Sequence, residues 1–211
     1  MMEVRDKIIE KATELMMQYG IRTVTMDDIS RDLGISKKTI YQYFRDKKEM
    51  VNTIAEIHLD MEKQRFEQTE KDSVDSVHEL ILISQCLRES MKDMKMNVLN
   101  DLQKFYPEAW EMYEAFKRDT MMCSITRVIL KGQNEGYFRP ELDAHLMAII
   151  RMEQVQAFIL NPHLYPKEKY TLADVQVQLF DHFVHGLFTI EGHQLFNQYT
   201  TEKLNQNEML N

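Results

Sequence analysis

Apolar residues recur along this chain at intervals of three and four, the spacing of one face of an α-helix. Val4, Ile8, Ala12, Leu15 and Tyr19 mark a first helix that stops at Gly20. Thr25 is placed as the N-cap of a second, with Ile29 and Leu33 on its buried face. Gly34 follows, where a left-handed residue ends a helix without a side-chain penalty. Ile35 plugs the turn, and Ser36 is placed to cap a third helix running to Phe44, with Ile40 and Phe44 inward. A fourth starts near Asp46 or Lys47; Met50, Ile54, Ile57 and Met61 predict its buried face, and it continues toward Gln68. The polar stretch 70–76 reads as a connection.

Beyond it, Leu80, Ile83, Leu87 and Met91 predict a helix from Val77 to Met94, and Asn97 to Phe105 a shorter one. Pro107 suits the first turn of a helix, where its missing N–H costs nothing; that helix runs to Asn134, with Gly136 as terminator. Asp143 caps a helix to Leu160, the stretch 161–166 is a loop, and Thr171 caps a helix to Ile190. A short amphipathic tail follows Gly192. No alternating strand pattern survives. The fold class is all-α.

Residues 37–48 carry the chemistry. With Ile40 and Phe44 turned inward, Lys37, Lys38, Thr39, Tyr41, Gln42 and Tyr43 face outward. Cations, hydroxyls and an amide are what contacts to phosphates and base edges require. A charge run is usually just a solvated face. Two exposed tyrosines interleaved with lysines argue for a task. Net charge is −8, which at first opposes a nucleic-acid partner. Between Ile29 and Lys48, however, six Lys/Arg stand against two Asp, while residues 51–211 hold 16 basic and 25 acidic residues. A basic patch on an acidic body favours one orientation on DNA.

The run from Thr25 to Lys48, TMDDISRDLGISKKTIYQYFRDKK, resembles the DNA-binding signature of the TetR/AcrR family of transcriptional regulators. The shared features are the Thr, the apolar pair, the Gly-apolar-Ser turn, Thr-apolar-Tyr, the aromatics ending in Phe, and the Lys beyond. The resemblance implies a helix-turn-helix DNA-binding domain over residues 1–48 and a larger helical ligand-binding and dimerisation domain over 49–211. It places Thr25, Tyr41, Tyr43 and Lys47 at phosphates, and Lys37, Lys38, Thr39 and Gln42 near base edges. Ser36 and Lys48 complete the candidate DNA-binding set. Asp27 and Asp28 stand where some members place a basic, base-reaching residue, so readout rests on the third helix. The function implied is a sequence-specific repressor, released from a double-stranded DNA operator by a small apolar effector. The alternative is an interaction or structural protein that kept the fold without binding DNA.

Two helices, 144–160 and 172–190, are apolar over most of their circumference. Either one large core buries them, or they face a core on one side and a second copy on the other. By resemblance they form a homodimer interface, with Ile150, Phe180, Phe183 and Leu187 as candidates. The segment 105–122 is dense in aromatics, and sixteen methionines are many for this length. Pliable thioethers suit a cavity that accepts varied apolar shapes. Phe105, Trp110, Tyr113, Phe116, Met121 and Phe158 are the candidate ligand-binding residues. The acidic body disfavours anionic ligands at long range, which predicts a neutral or cationic effector near Trp110.

His182, His185 and Asp181 lack a further ligand at diagnostic spacing, so no metal and no cofactor is expected. There is no Gly-rich phosphate loop, nucleophile elbow or zinc-protease motif, so no catalytic residue is assigned. No run is long enough to span a bilayer, and the start of the chain lacks a secretory organisation. Cys86 and Cys123 match no metal or redox spacing. A cytoplasmic protein is expected.

Overall fold

The computed structural model describes residues 3–92, 97–161, 169 and 171–208. Among them all regular structure is helical: α1 (Val4–Tyr19), α2 (Met26–Leu33), α3 (Lys37–Tyr41), α4 (Lys47–Asp72), α5 (Ser76–Lys92), α6 (Val98–Phe105), α7 (Pro107–Phe116), α8 (Cys123–Glu135), α9 (Ala144–Leu160), α10 (Leu172–Leu187) and α11 (Ile190–Glu208). A π-helical turn, Lys117–Met122, joins α7 to α8, so the helix expected from Pro107 is one long run with a local widening. The end of the α5 prediction at Met94, and most of the loop expected over 161–166, lie outside the described residues.

Local chemistry sets the starts and stops. Thr25 closes a capping box on α2: its hydroxyl accepts from the Asp28 N–H at 3.1 Å, and its own N–H donates to the Asp28 carboxylate at 3.0 Å. Gly34 is left-handed at φ 66°, which a side chain would resist. The Ser36 hydroxyl accepts from the Thr39 N–H at 3.1 Å. Asp46, Asp143 and Thr171 cap α4, α9 and α10 in the same manner.

Several ends differ from expectation. Helix α3 stops at Tyr41, yet Phe44 donates its N–H to the Ile40 carbonyl and still reaches the core. Helix α10 ends at Leu187 because the chain there turns extended and pairs with the 137–139 segment: Arg139 N–H donates to Leu187 O, and Thr189 N–H to Tyr137 O. Helix α11 therefore begins at Ile190, before Gly192, and is long rather than a short tail.

The buried stripes also shift. On α1 it is Ile8, Ala12 and Met16 that are buried, while Val4 and Tyr19 overhang the core at the two ends. On α4 the stripe passes from Met50 and Ile54 to Glu62 and Phe66, leaving Ile57 and Met61 exposed.

Two apolar clusters result. One joins α1–α3 and the start of α4 to α6, α7 and the far end of α9. The other packs the end of α4 with α5, α8, the first half of α9 and the end of α10. The first cluster runs across residue 48 without a break. The helix-turn-helix unit is seated in the larger body, not tethered to it.

Candidate functional site

Helices α2 and α3 cross at the tight Gly34 turn, and Ile29, Ile40 and Phe44 lock them from inside. What remains outside is a continuous face. Thr25, Lys37, Lys38, Tyr41, Gln42 and Tyr43 are exposed on it. Lys37 Nζ lies 2.7 Å from the Asp27 carboxylate, which raises the lysine pKa and keeps it charged. The two acids at the start of α2 thus have local uses: Asp27 orients Lys37, and Asp28 closes the cap.

Four further candidates sit differently. Ser36 and Thr39 are bonded to each other at 2.8 Å in the cap of α3. Lys47 is half-buried and donates to the Arg22 carbonyl at 3.2 Å; burial lowers its pKa, with Asp101 and Asp28 opposing. Lys48 pairs with Glu108 of α7 at 2.6 Å. Lys47 and Lys48 therefore point at the joint with the larger body, not at the open face of α3.

That joint is well made. The Arg22 N–H donates to the buried carboxylate of Asp101 at 3.0 Å, and the Arg22 guanidinium lies 5.1 Å from the centre of the Phe105 ring. Gly20, at φ 92°, packs so closely on Asn97 that a Cβ there would meet its side chain at 2.5 Å. All three partners, Asn97, Asp101 and Phe105, belong to α6 or its N-cap.

The same helix walls a cavity of about 110 Å³. Its lining is almost wholly apolar and comes from α1 and α4–α7 together with the π turn; Met16, Ile54, Leu87, Met91, Val98 and Leu102 are typical. Of the six ligand candidates, Tyr113, Phe116 and Met121 line it. The other three do not. Phe105 is on the surface under Arg22, Phe158 is buried in the core, and Trp110 sits behind the wall, its ring 5.2 Å from that of Tyr113.

Two ionisable wall residues escaped the sequence reading: His58 and Glu62. They continue the Met50–Ile54 stripe at four-residue spacing, so a polar break in an apolar stripe was the available signal. Glu62 is buried, ion-paired to Arg65 at 3.0 Å, and accepts from the Ser90 hydroxyl. Burial lowers the His58 pKa, with the Glu62 carboxylate opposing. Burial likewise pushes the nearby Cys86 thiol up to about 11.

The interface candidates divide as well. Ile150 is exposed on α9, beside Leu146, and Val177 is exposed on α10. Phe180 is half-buried, its ring 6.3 Å from that of Phe196. Phe183 and Leu187 are buried in the protomer's own second cluster, so the sequence assignment of these two to a subunit interface is corrected: their surface is already used.

The comparisons with known proteins fit this geometry. Residues 8–54 match the model of the tetR family of bacterial regulatory proteins. The chain is 24% identical to the HTH-type transcriptional regulator YvaF of Bacillus subtilis over 86% of this chain and 94% of that protein. It is 24% identical to the HTH-type transcriptional regulator TtgR of Pseudomonas putida, over 82% of this chain and 87% of that one. Two solved structures share the fold. A TetR-family regulator from Agrobacterium tumefaciens has a TM-score of 0.72 at 18% identity, covering 88% of this chain and 97% of its own. A transcriptional regulator from Saccharomonospora viridis, solved with choline, has a TM-score of 0.70 at 21% identity and the same coverage. The matched stretch coincides with α1 to the start of α4, the unit that carries the open basic face, and the relatives cover most of the rest: that unit is similar to the DNA-binding domain of the tetR family, and the chain is a DNA-binding transcriptional regulator.

Proposed function

We propose that the protein acts in the cytoplasm as a homodimeric repressor on a double-stranded DNA operator and leaves it when a small apolar molecule enters the cavity. Each protomer presents α3 to a major groove, with the two helices about 34–36 Å apart. Thr25, Tyr41 and Tyr43 hold phosphates, and Lys37, Lys38 and Gln42 reach base edges. The exposed apolar residues Leu146, Ile150 and Val177, with the rim of Phe180, form the subunit contact.

The observation that carries release is the double use of α6. Val98, Leu99 and Leu102 wall the cavity, while Asp101 and Phe105 on the same helix hold the Arg22 loop that leads into α2. A ligand that displaces α6 therefore tilts the reading head. It shifts the equilibrium only by the difference in its affinity for the two positions.

The test is selection from a random DNA pool by the purified protein, followed by titration of lipophilic compounds. Enrichment of a two-fold symmetric site, and its loss over the range in which Trp110 emission changes, is expected. No enriched sequence would refute DNA readout. Emission changes without loss of operator affinity would remove the regulatory role of the cavity.

A further inference from the structure

Arg151 lies on α9 and is only 3% exposed. Its register neighbours Ala148, Met152 and Val155 are all core residues, so its stem points into the protomer, away from the face that carries Ile150. Both terminal nitrogens, Nη1 and Nη2, are buried without a hydrogen-bond partner. No carboxylate among the described residues pairs with it. The guanidinium stands 5.9 Å from the centre of the Phe183 ring, which offers a weak attraction and no acceptor. Burial pulls its pKa down to about 10, still far above neutrality. A buried, permanently charged group with no counterion is what folded proteins avoid unless something supplies one.

Arg151 lines a small void between α5, α8, α9 and α10, of about 10 Å³, room for one water-sized group. Apart from Arg151 and Ser84 its walls are apolar. Leu87 lines this void and also the 110 Å³ cavity. On the opposite wall Met121 of the large cavity and Ile125 of the void are one helical turn apart. The two spaces thus share Leu87 as a wall residue.

We propose that Arg151 anchors the carboxylate of the effector, an aliphatic monocarboxylic acid whose hydrocarbon part fills the large cavity, with Leu87 turned aside. The proposal rests on reading that cavity as the effector site. A single cation in an apolar setting balances one negative charge. A dianion such as a phosphate monoester would leave charge unpaired. The net charge of −8 pointed instead to a neutral or cationic ligand, but that charge is spread over a surface where salt screens it within about 8 Å, while a buried guanidinium is screened far less. Glu62 does not oppose the acid as a lone charge, because Arg65 already neutralises it at 3.0 Å.

Calorimetric titration of the delipidated full-length protein with dodecanoate, dodecanol and dodecyltrimethylammonium tests this, with Trp110 emission as a second signal. Dodecanoate should bind at least tenfold more tightly than either chain-matched compound. Arg151→Met should abolish that preference, keep dodecanol binding, and melt at or above the wild-type temperature, since it removes an unpaired buried charge. Dodecanoate binding no tighter than dodecanol to the wild type would overturn the proposal whatever the variant does. So would an undiminished preference in Arg151→Met or, if that variant does not fold, in Arg151→Gln. Saturation of the site by acetate or chloride, with no advantage to dodecanoate, would overturn the amphiphile and make Arg151 a small-ion site. Operator affinity is measured separately. Dodecanoate that binds through Arg151 without releasing DNA refutes the regulatory reading of the cavity, not the anchor. Neutral compounds that release DNA while dodecanoate shows no preference refute the anchor, not the regulation.

Discussion

The α2–α3 reading head and the cavity beneath it are built on opposite plans. The head is assembled from neighbours in sequence. Thr25 with Asp28, Ser36 with Thr39 and the left-handed Gly34 fix its geometry within about fifteen residues, and its working side chains are those left over once Ile29, Ile40 and Phe44 are buried. The cavity is assembled from α1 and α4–α7, elements up to a hundred residues apart, and its walls are defined only by how those helices pack. A face set by caps and turns is rigid before anything binds. A space set by packing can change when one helix moves. That difference suits a molecule whose output must be constant and whose input must be deformable.

The largest expected effect separates core from interface on α10 and α9. Phe183→Ala should cost about 3–5 kcal/mol of stability, the usual loss for deleting a buried phenyl ring, and leave the folded fraction dimeric. Ile150→Glu should do the reverse, giving monomers by light scattering with little loss in melting temperature. A stable monomer from Phe183→Ala would return that residue to the interface.

Next in size is the joint. Asp101→Ala removes the acceptor for the Arg22 N–H and should weaken the coupling between cavity and operator by about 1–3 kcal/mol, the range typical of allosteric linkage. The readout is the ratio of operator affinities with and without saturating ligand. An unchanged ratio would mean that α6 does not transmit the signal.

The smallest effect concerns the head alone. Ser36→Ala should cost about 1 kcal/mol through the lost cap, seen in chemical denaturation, and should leave ligand affinity in the cavity unaltered. Altered cavity binding would show that the head and the cavity are not built independently.

The same contrast explains what could be read from the sequence. Caps, turn glycines and the outward face of α3 are local, and the structure places them as the spacing predicts. Periodicity failed where a residue's partner is remote. Ile57 and Met61 fit a stripe, yet the stripe that is buried continues through His58 and Glu62, because there α4 borders the cavity. Phe105 and Trp110 are aromatic enough for a pocket, but Arg22 and Tyr113 claim their rings. Phe183 and Leu187 lie on a helix apolar all round, and nothing local says which side meets the protomer's own α5 and α8. Arg151 showed no signal at all: a lone arginine in an apolar helix reads as a solvated face until its neighbours are known.

The claim on which the rest depends is that the Thr25–Tyr43 face binds DNA and reads its sequence. Operator affinity measured across salt concentrations, against a scrambled duplex of equal length, tests it most directly. Log affinity should fall with log salt at a slope of about −5 to −9, as expected for a dimer that neutralises roughly 6–10 phosphates, and the operator should be preferred at least 10³-fold, the lower end for specific sites. A slope near zero, or equal affinity for the scrambled duplex, would contradict it.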